Sequence, residues 1–417
     1  MAKKIFTSLL LLLLGFVEAL AQNTLAKSTL IAEIDSILQT QIDQEKIPGA
    51  VILIKKGKEE IYKNAFGYAQ KKNFEQQNLA VPEKTTVKHL YDIASLTKVV
   101  GTTTSIMLLV DKGLLKVDEP VGKYIPAFNS PDKAIITIRH LLTHTSGLYE
   151  WYPLYYRCKN RQETFKLIGE LPLAFPVGSG RHYSDLGFTI LGQLIEKVSG
   201  KSLENFMAEN IFKPLKMNHT MYNPLKNGFT KNIAATSHGN PYEKRMVTDS
   251  TLGMRRKEID PNSWNGWRNY TLRGEVNDGN AWYANEGVSG AAGLFSTVED
   301  LQKLVDVLKH KGKAGKKQFI SESTIQLFLT KDQYKNGLGW MMEASNSFMK
   351  NAKEGTFGHT GFTGTSITVM PDSDLSIILL INRQNMGLLE NKTYYNVNKI
   401  RELVFNAVVK YNASAID

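Results

Sequence analysis

Apolar residues recur between Ser28 and Gln44 at Leu30, Ile31, Ile34, Ile37, Leu38 and Ile42, the spacing that lays one stripe along an α-helix. The period then changes. Ala50-Val51-Ile52-Leu53-Ile54 is a continuous apolar run of strand length, Lys56-Gly57-Lys58 is a turn, and Glu60 to Tyr68 supplies a hairpin partner. Far downstream, Thr365 to Met370 and Leu375 to Ile381 read as a second β pair across Pro371-Asp372-Ser373-Asp374, and a helix from about Thr393 to Val409 closes the chain. Between these β-rich ends, roughly residues 95 to 330 carry helical patterns and aromatic loops. This order predicts an α/β (α+β) protein. Both chain ends form a mixed, largely antiparallel sheet flanked by helices, with a mainly helical lobe inserted at roughly residues 100–330. Residues 22–417 would make up that single two-lobed domain.

The first 21 residues differ from the rest. Lys3 and Lys4 precede an apolar run from Ile5 to Val17, and Ala19-Leu20-Ala21 supplies small residues for cleavage. This is the layout of a secretory leader, and its apolar run falls short of the roughly 20 residues that span a bilayer. The expectation is an exported protein, periplasmic or extracellular, with no stable membrane span. A composition of 42% hydrophobic and 22% charged residues is that of a globular chain and excludes collagen, coiled coil and bulk disorder. One cysteine, Cys158, rules out an intrachain disulfide framework and a thiolate zinc site. The net charge of +11 is spread without a block of five basic residues, and no recognition motif accompanies it, so nucleic acid is not an expected partner.

Candidate chemistry begins with serine. Its hydroxyl is a nucleophile at neutral pH only beside a group that takes its proton, and a lysine three residues later on a helix shares its face. Ser-x-x-Lys occurs at Ser95/Lys98, Ser130/Lys133 and Ser347/Lys350. Ser130 runs into the turn Pro131-Asp132, and Ser347 lies in a polar stretch before Gly355. Ser95-Leu96-Thr97-Lys98 alone opens a long apolar helix, through Val99, Val100 and Ile106 to Val110. Burial at that helix start would lower the pKa of Lys98. Arg181-His182-Tyr183-Ser184-Asp185-Leu186-Gly187 places a tyrosine just before another apolar helix, and Gly358-His359-Thr360-Gly361 opens the late β pair.

This set resembles the serine β-lactamase and penicillin-binding protein superfamily, in its class C-like branch of D-alanyl-D-alanine carboxypeptidases, D-aminopeptidases and secreted esterases. Thr137-Ile138-Arg139-His140-Leu141-Leu142-Thr143-His144-Thr145-Ser146-Gly147-Leu148 is similar to a signature of that family. So are Gly287-Val288-Ser289-Gly290-Ala291-Ala292-Gly293-Leu294-Phe295-Ser296-Thr297 with Asp300-Leu301, and Gly337-Leu338-Gly339-Trp340. The resemblance spans about residues 30 to 410. It implies that Ser95 is acylated, that Lys98 helps to take its proton and holds the hydroxyl, and that Tyr183 shuttles a proton to the leaving group and later activates water. An unperturbed phenol titrates near pH 10, so that role needs a nearby cation. The resemblance also aligns His359-Thr360-Gly361 with the family's Lys-Thr-Gly strand, and gives the backbone N–H groups of Ser95 and Phe362 as an oxyanion hole.

Two departures bear on substrate. Asp185 stands where the family has asparagine, and a carboxylate accepts hydrogen bonds but cannot donate to a substrate carbonyl. Asp185 could pair with Lys98, raising the lysine, or bind an amine. His359 replaces a lysine, as in carboxypeptidase- and esterase-like branches. The implied activity is that of an exported serine hydrolase needing neither cofactor nor metal. Its substrate would be an ester, a small amide or a D-amino-acid peptide of cell-wall type. The alternative is a penicillin-recognising or sensing relative that acylates with little turnover.

Other features carry less. His140 and His144 have the spacing of zinc ligands on a helix, but no glutamate lies between them and no third ligand is apparent. Gly312-Lys313-Ala314-Gly315-Lys316-Lys317 lacks phosphate-loop spacing, and Gly361-Phe362-Thr363-Gly364 reads as a turn. Two aromatic groups, Tyr149, Trp151, Tyr152, Tyr155 and Tyr156, then Trp264, Trp267, Tyr270, Trp282 and Tyr283, would line the cleft or pack their own loops.

Overall fold

The computed structural model of the protein describes residues 24–342 and 347–414. The leader at residues 1–21 lies outside the described residues. The main sheet has seven strands. β1 (Gly49–Lys56), β2 (Glu59–Lys72) and β3 (Asn78–Lys84) come from the N-terminal part, and β4 (Met341–Met342), β5 (Phe357–Thr360), β6 (Ser366–Met370) and β7 (Leu375–Ile381) from the C-terminal part. Their order is β4-β5-β6-β7-β1-β2-β3. Each neighbouring pair is antiparallel, and the two ends of the chain meet where Ala50 faces Ile381 and Ile54 faces Ile377. The late β pair and its turn thus sit where the apolar pattern placed them.

Period-two alternation splits the core. Ala50, Ile52 and Ile54 face a layer made by α1 (residues 24–43) and α5 (Asn398–Ser414), where Ile34, Leu38, Val404 and Val408 are buried. Val51 and Leu53 face the opposite layer, which contains α2 (Thr104–Asp111), α3 (Asp185–Ser199) and α4 (Val298–Lys309). Each large aliphatic side chain buried this way contributes about 1.5–3 kcal/mol. The segment between β3 and β4 holds three small sheets besides helices. It is not a purely separate lobe, because α4 returns to pack on β7, β1 and β6.

Two departures from the sequence pattern have local causes. β3 is an edge strand, mostly exposed, with Pro82 within it, so it lacks the apolar alternation that marks a half-buried strand. The last helix starts at Asn398 instead of near Thr393. Asn391 Oδ1 accepts from the Thr393 N–H and hydroxyl, and Asn396 Oδ1 accepts from the Asn398 N–H. Such side-chain turns compete with helix for the same backbone donors.

Candidate active site

Ser95 sits on a turn fixed from both sides. Ala94, just before it, has φ +47°, and its N–H donates to the buried Asp92 carboxylate at 2.9 Å. The same carboxylate accepts the Asn277 N–H at 2.6 Å, and burial pushes its pKa up to about 6. The turn between β5 and β6 docks against this segment: Thr363 Oγ1 donates to the Asp92 carbonyl at 2.7 Å and Thr365 Oγ1 to the Ile93 carbonyl at 3.1 Å. Gly361 is required there, since a Cβ would lie 2.1 Å from Thr365 Oγ1 and 2.5 Å from the Ile93 carbonyl oxygen. The nucleophile turn and the late β pair are therefore one packed unit.

The helix after Ser95 begins with a wide π-helical stretch, Lys98–Thr103, before α2. Lys98 is 1% exposed. Its Nζ donates to Ser95 Oγ at 3.0 Å and to the Ala291 carbonyl at 2.9 Å, and lies 2.7 Å from Asp185 Oδ1. The expected fall in its pKa is corrected here. Burial does pull the group down, but the Asp185 carboxylate and then Tyr183 outweigh it, so Lys98 titrates above the ordinary lysine range. The pairing reading of Asp185 is the one the geometry realises.

Tyr183 lies in the last residues before α3. Ser184 caps that helix by accepting the Gly187 N–H, while its hydroxyl donates to the Tyr149 carbonyl at 2.7 Å. The Asp185 N–H donates to the Glu150 carbonyl at 3.0 Å. His144 completes the clamp: its Nδ1 accepts the Ser184 N–H at 2.9 Å, and its ring centroid lies 4.4 Å from that of Tyr183. Burial, then Arg181 and Lys98, hold His144 far below the ordinary histidine range, so it stays neutral and accepts. The two histidines of the sequence pair do not converge. His140 caps the Ile138–Leu142 helix by accepting the Thr137 N–H at 3.1 Å, whereas His144 lies beyond its end at φ +61°. Among the described residues no group of three or more His, Cys, Asp or Glu is placed to hold a metal ion.

His359 lies on β5, 1% exposed, with its ring centroid 6.2 Å from that of Tyr183. Its Nδ1 is 2.9 Å from the Thr360 carbonyl oxygen. Burial, followed by Lys98, holds its pKa down to about 3. A neutral imidazole thus stands where the resemblance supplies a cation.

A cavity of about 270 Å³ opens on this cluster, with Ser95, Tyr183, Asp185 and Phe362 in its wall. His359, Thr360 and Gly361 are not part of that wall. Among the described residues, neither the Ser95 nor the Phe362 N–H donates to a protein acceptor. The facing wall was not read from sequence. It consists of Tyr242 and Glu243 from the helix Pro241–Thr248, Asn277 and Asp278 from a loop, Tyr394, and Trp151. Every charged residue lining the cavity is acidic: Asp185, Glu243 and Asp278. Burial first, and Asp185 second, raise Asp278 to about 6. Burial first, and Asp278 second, raise Glu243 to about 8.

Of the ten aromatic residues singled out in the sequence, only Trp151 lines this cavity. Tyr155, Trp264, Trp267 and Tyr283 pack on one another, with Tyr155–Trp264 and Trp264–Tyr283 centroids 4.8 Å apart, so for these residues the second of the two readings, loops packed by their own side chains, is the one realised. The rival Lys133 donates to the Gly169 carbonyl at 2.6 Å and is committed to packing. Among the described residues no helix is long and apolar enough to cross a membrane.

Comparison with known proteins agrees with this geometry. A family model described as Beta-lactamase matches residues 34–400. An N-acetylmuramyl-L-alanine amidase of Bacillus subtilis is 33% identical over 388 residues, covering 88% of this chain and 84% of that protein. A putative D-alanyl-D-alanine carboxypeptidase of Salmonella typhimurium is 32% identical over 386 residues, covering 87% and 85%. Among solved structures, EstCE1, a hydrolase with promiscuous acyltransferase activity, superposes with a TM-score of 0.66 at 21% identity, over 91% of this chain and 100% of that one, a likeness of fold.

Proposed function

The chain belongs to the β-lactamase family, and from that premise we propose that it is an exported serine hydrolase working through an acyl-enzyme on Ser95. The observation that carries this reading is the 3.0 Å approach of the buried Lys98 ammonium to Ser95 Oγ, at the wall of a cavity shared with Tyr183. With Asp185 holding Lys98 in its charged form, Lys98 donates to Ser95 and does not take its proton. Tyr183 takes it in its phenolate form, whose negative charge the ammonium, 5.0 Å from the Tyr183 ring centroid, stabilises.

The bookkeeping of protons is then simple. Ser95 Oγ attacks the substrate carbonyl as its proton passes to Tyr183, and the oxyanion forms against the Ser95 and Phe362 N–H groups. Tyr183 returns the proton to the leaving ester oxygen or amide nitrogen, and the acyl-enzyme remains. A water attacks the acyl-enzyme with Tyr183 again as base, and Ser95 recovers its proton. Losing one oxyanion donor in such a site costs about 10² to 10³ in turnover.

The substrate is an ester or small amide, with a D-amino-acid or cell-wall peptide next; the amidase and carboxypeptidase names of the two relatives support the peptide end of that range. The all-acidic lining favours an acyl portion bearing a free amine over one bearing a carboxylate or an acylamino group. The leader-like residues 1–21 support a periplasmic or extracellular location. The tight Asp185–Lys98 pair favours one second reading, an acylating sensor that deacylates slowly.

Intact mass after fluorophosphonate or fluorescent penicillin tests both. A Ser95 adduct with p-nitrophenyl ester turnover is the expected result. A stable penicillin adduct without turnover of esters, D-alanyl-D-alanine peptides or a chromogenic cephalosporin identifies the sensor. No adduct at Ser95 removes both.

A further inference from the structure

Two guanidinium groups that the reaction above does not use hold the Phe362 turn from behind. Arg401, on α5 and 7% exposed, donates through Nη2 to the carbonyls of Gly361 at 3.2 Å and Thr365 at 2.9 Å, and through Nη1 to Asn398 Oδ1 at 2.7 Å. Arg383 donates through Nε to the Phe362 carbonyl at 2.9 Å and through Nη1 to the Tyr395 carbonyl at 2.8 Å. Among the described residues, neither guanidinium lies in an ion pair with a carboxylate. Burial, and then Arg383, pull Arg401 down to about 9, which leaves it charged at neutral pH. A desolvated cation answered only by neutral oxygens is unfavourable on its own account, so its placement calls for a reason.

Connectivity supplies one. The Gly361 carbonyl and the Phe362 N–H belong to the same peptide group. A charge-assisted hydrogen bond on the oxygen draws electron density from the nitrogen and makes the N–H a stronger donor. We propose that Arg401 is a positioning residue that polarises the Gly361–Phe362 peptide and so strengthens the Phe362 N–H toward the substrate oxyanion. Arg383, on the following carbonyl, fixes the plane of the turn. This rests on the oxyanion role of Phe362 in the proposed function. The effect falls on the tetrahedral species, where charge on the substrate oxygen is greatest, and hardly on the bound ester.

A merely structural Arg401 would tie α5 to the turn and nothing more. The full-length Arg401→Met, Arg401→Lys and Asn398→Ala proteins separate these roles. The readouts are kcat and KM on a p-nitrophenyl ester, affinity for an alkyl boronic acid that forms a tetrahedral serine adduct, thermal midpoint, and the Phe362 amide proton shift, selected with the other Gly-Phe pairs by labelling Gly carbonyls with ¹³C and Phe nitrogens with ¹⁵N and assigned by its loss in Phe362→Leu. Arg401→Met is expected to lower kcat and boronate affinity each about tenfold, less than loss of the donor itself, with KM changed by less than about twofold. It should also move the Phe362 amide proton upfield. Arg401→Lys, which keeps charge and fold, falls between it and the wild type. Asn398→Ala should lower the midpoint while leaving kcat and the amide shift where they were.

An unmoved amide proton in both Arg401 variants overturns the proposal. So does an equal loss of kcat and boronate affinity in Asn398→Ala at the same drop in midpoint. If Ser95 takes no fluorophosphonate, the hydrolase reading fails, while the amide shift still decides the polarisation.

Discussion

The two ends of the cavity are built differently. At one end, Ser95, Lys98 and the Phe362 turn form a rigid knot, in which a 1%-exposed ammonium is answered by one carboxylate, one carbonyl and one hydroxyl. At the other, Glu243 and Asp278 share a wall with Tyr242 and Tyr394, whose rings lie 6.1 Å apart, and burial first, then a neighbouring carboxylate, pushes both carboxyls above their ordinary range. The first end satisfies its own charges and is ready to react. The second holds Asp278 largely ionised and Glu243 largely protonated at neutral pH, and its negative charge grows as pH rises. Chemistry and recognition are therefore separable by substitution.

Two substitutions at the reacting end should have the largest effects. Ser95→Ala removes the nucleophile, and ester turnover should fall by about 10⁴ or more. Intact mass should show no fluorophosphonate adduct, and residual labelling elsewhere with activity retained would move the reaction away from Ser95. Tyr183→Phe keeps the ring against His144 but deletes the proton carrier. Turnover should drop by about 10² to 10⁴, with KM little changed. A rise in KM with kcat little changed would assign Tyr183 to binding.

The reacting end was legible in the sequence because its parts are short and local. Ser95 and Lys98 share one helical turn, Tyr183 and Asp185 straddle a helix cap, and His359 begins a strand whose partner follows within a few residues. The sheet was legible for a related reason: β1 and β7 contain the five-residue apolar runs 50–54 and 377–381, which only a two-sided core accommodates. The recognition end left no such trace. Glu243 and Asp278 are 35 residues apart in sequence numbering, on a helix start and a loop, and meet only through tertiary packing. The sign of the Lys98 shift stayed open in the sequence for the same reason: burial in an apolar helix lowers it, pairing with Asp185, 87 positions later, raises it, and only the fold decides for the pair.

Asp185 joins the two ends, and Asp185→Asn probes the joint. Without the carboxylate, burial is opposed by Tyr183 but no longer by Asp185, and the pKa of Lys98 falls. If the ammonium is the working form, the alkaline limb of the kcat/KM profile should move to lower pH. The new amide can donate to an acylamino carbonyl, so N-acylated substrates should gain about tenfold relative to the parent ester, the value of one good hydrogen bond. A limb that stays in place would mean that Lys98 does not set it.

The smallest effect should come from the acidic wall, and it has a definite sign with pH. Asp278 and Glu243 titrate near 6 and near 8 in the fold, against about 4 in an unfolded chain. Between those limits the native state binds more protons than the unfolded one, so stability falls as pH rises through the window. Across the same window the wall gains negative charge, while an α-amino group with a pKa near 8 is still about half cationic at the upper limit. Preference for a free-amine ester over its N-acetyl form should therefore grow from pH 6 to pH 8, by about tenfold for one added charge contact. Asp278→Asn should flatten that rise and, at pH 8, raise the thermal midpoint. A preference that ignores pH in the wild type, or survives the substitution intact, would show that the amine is held elsewhere and that the unneutralised carboxyls are there for another purpose than recognition.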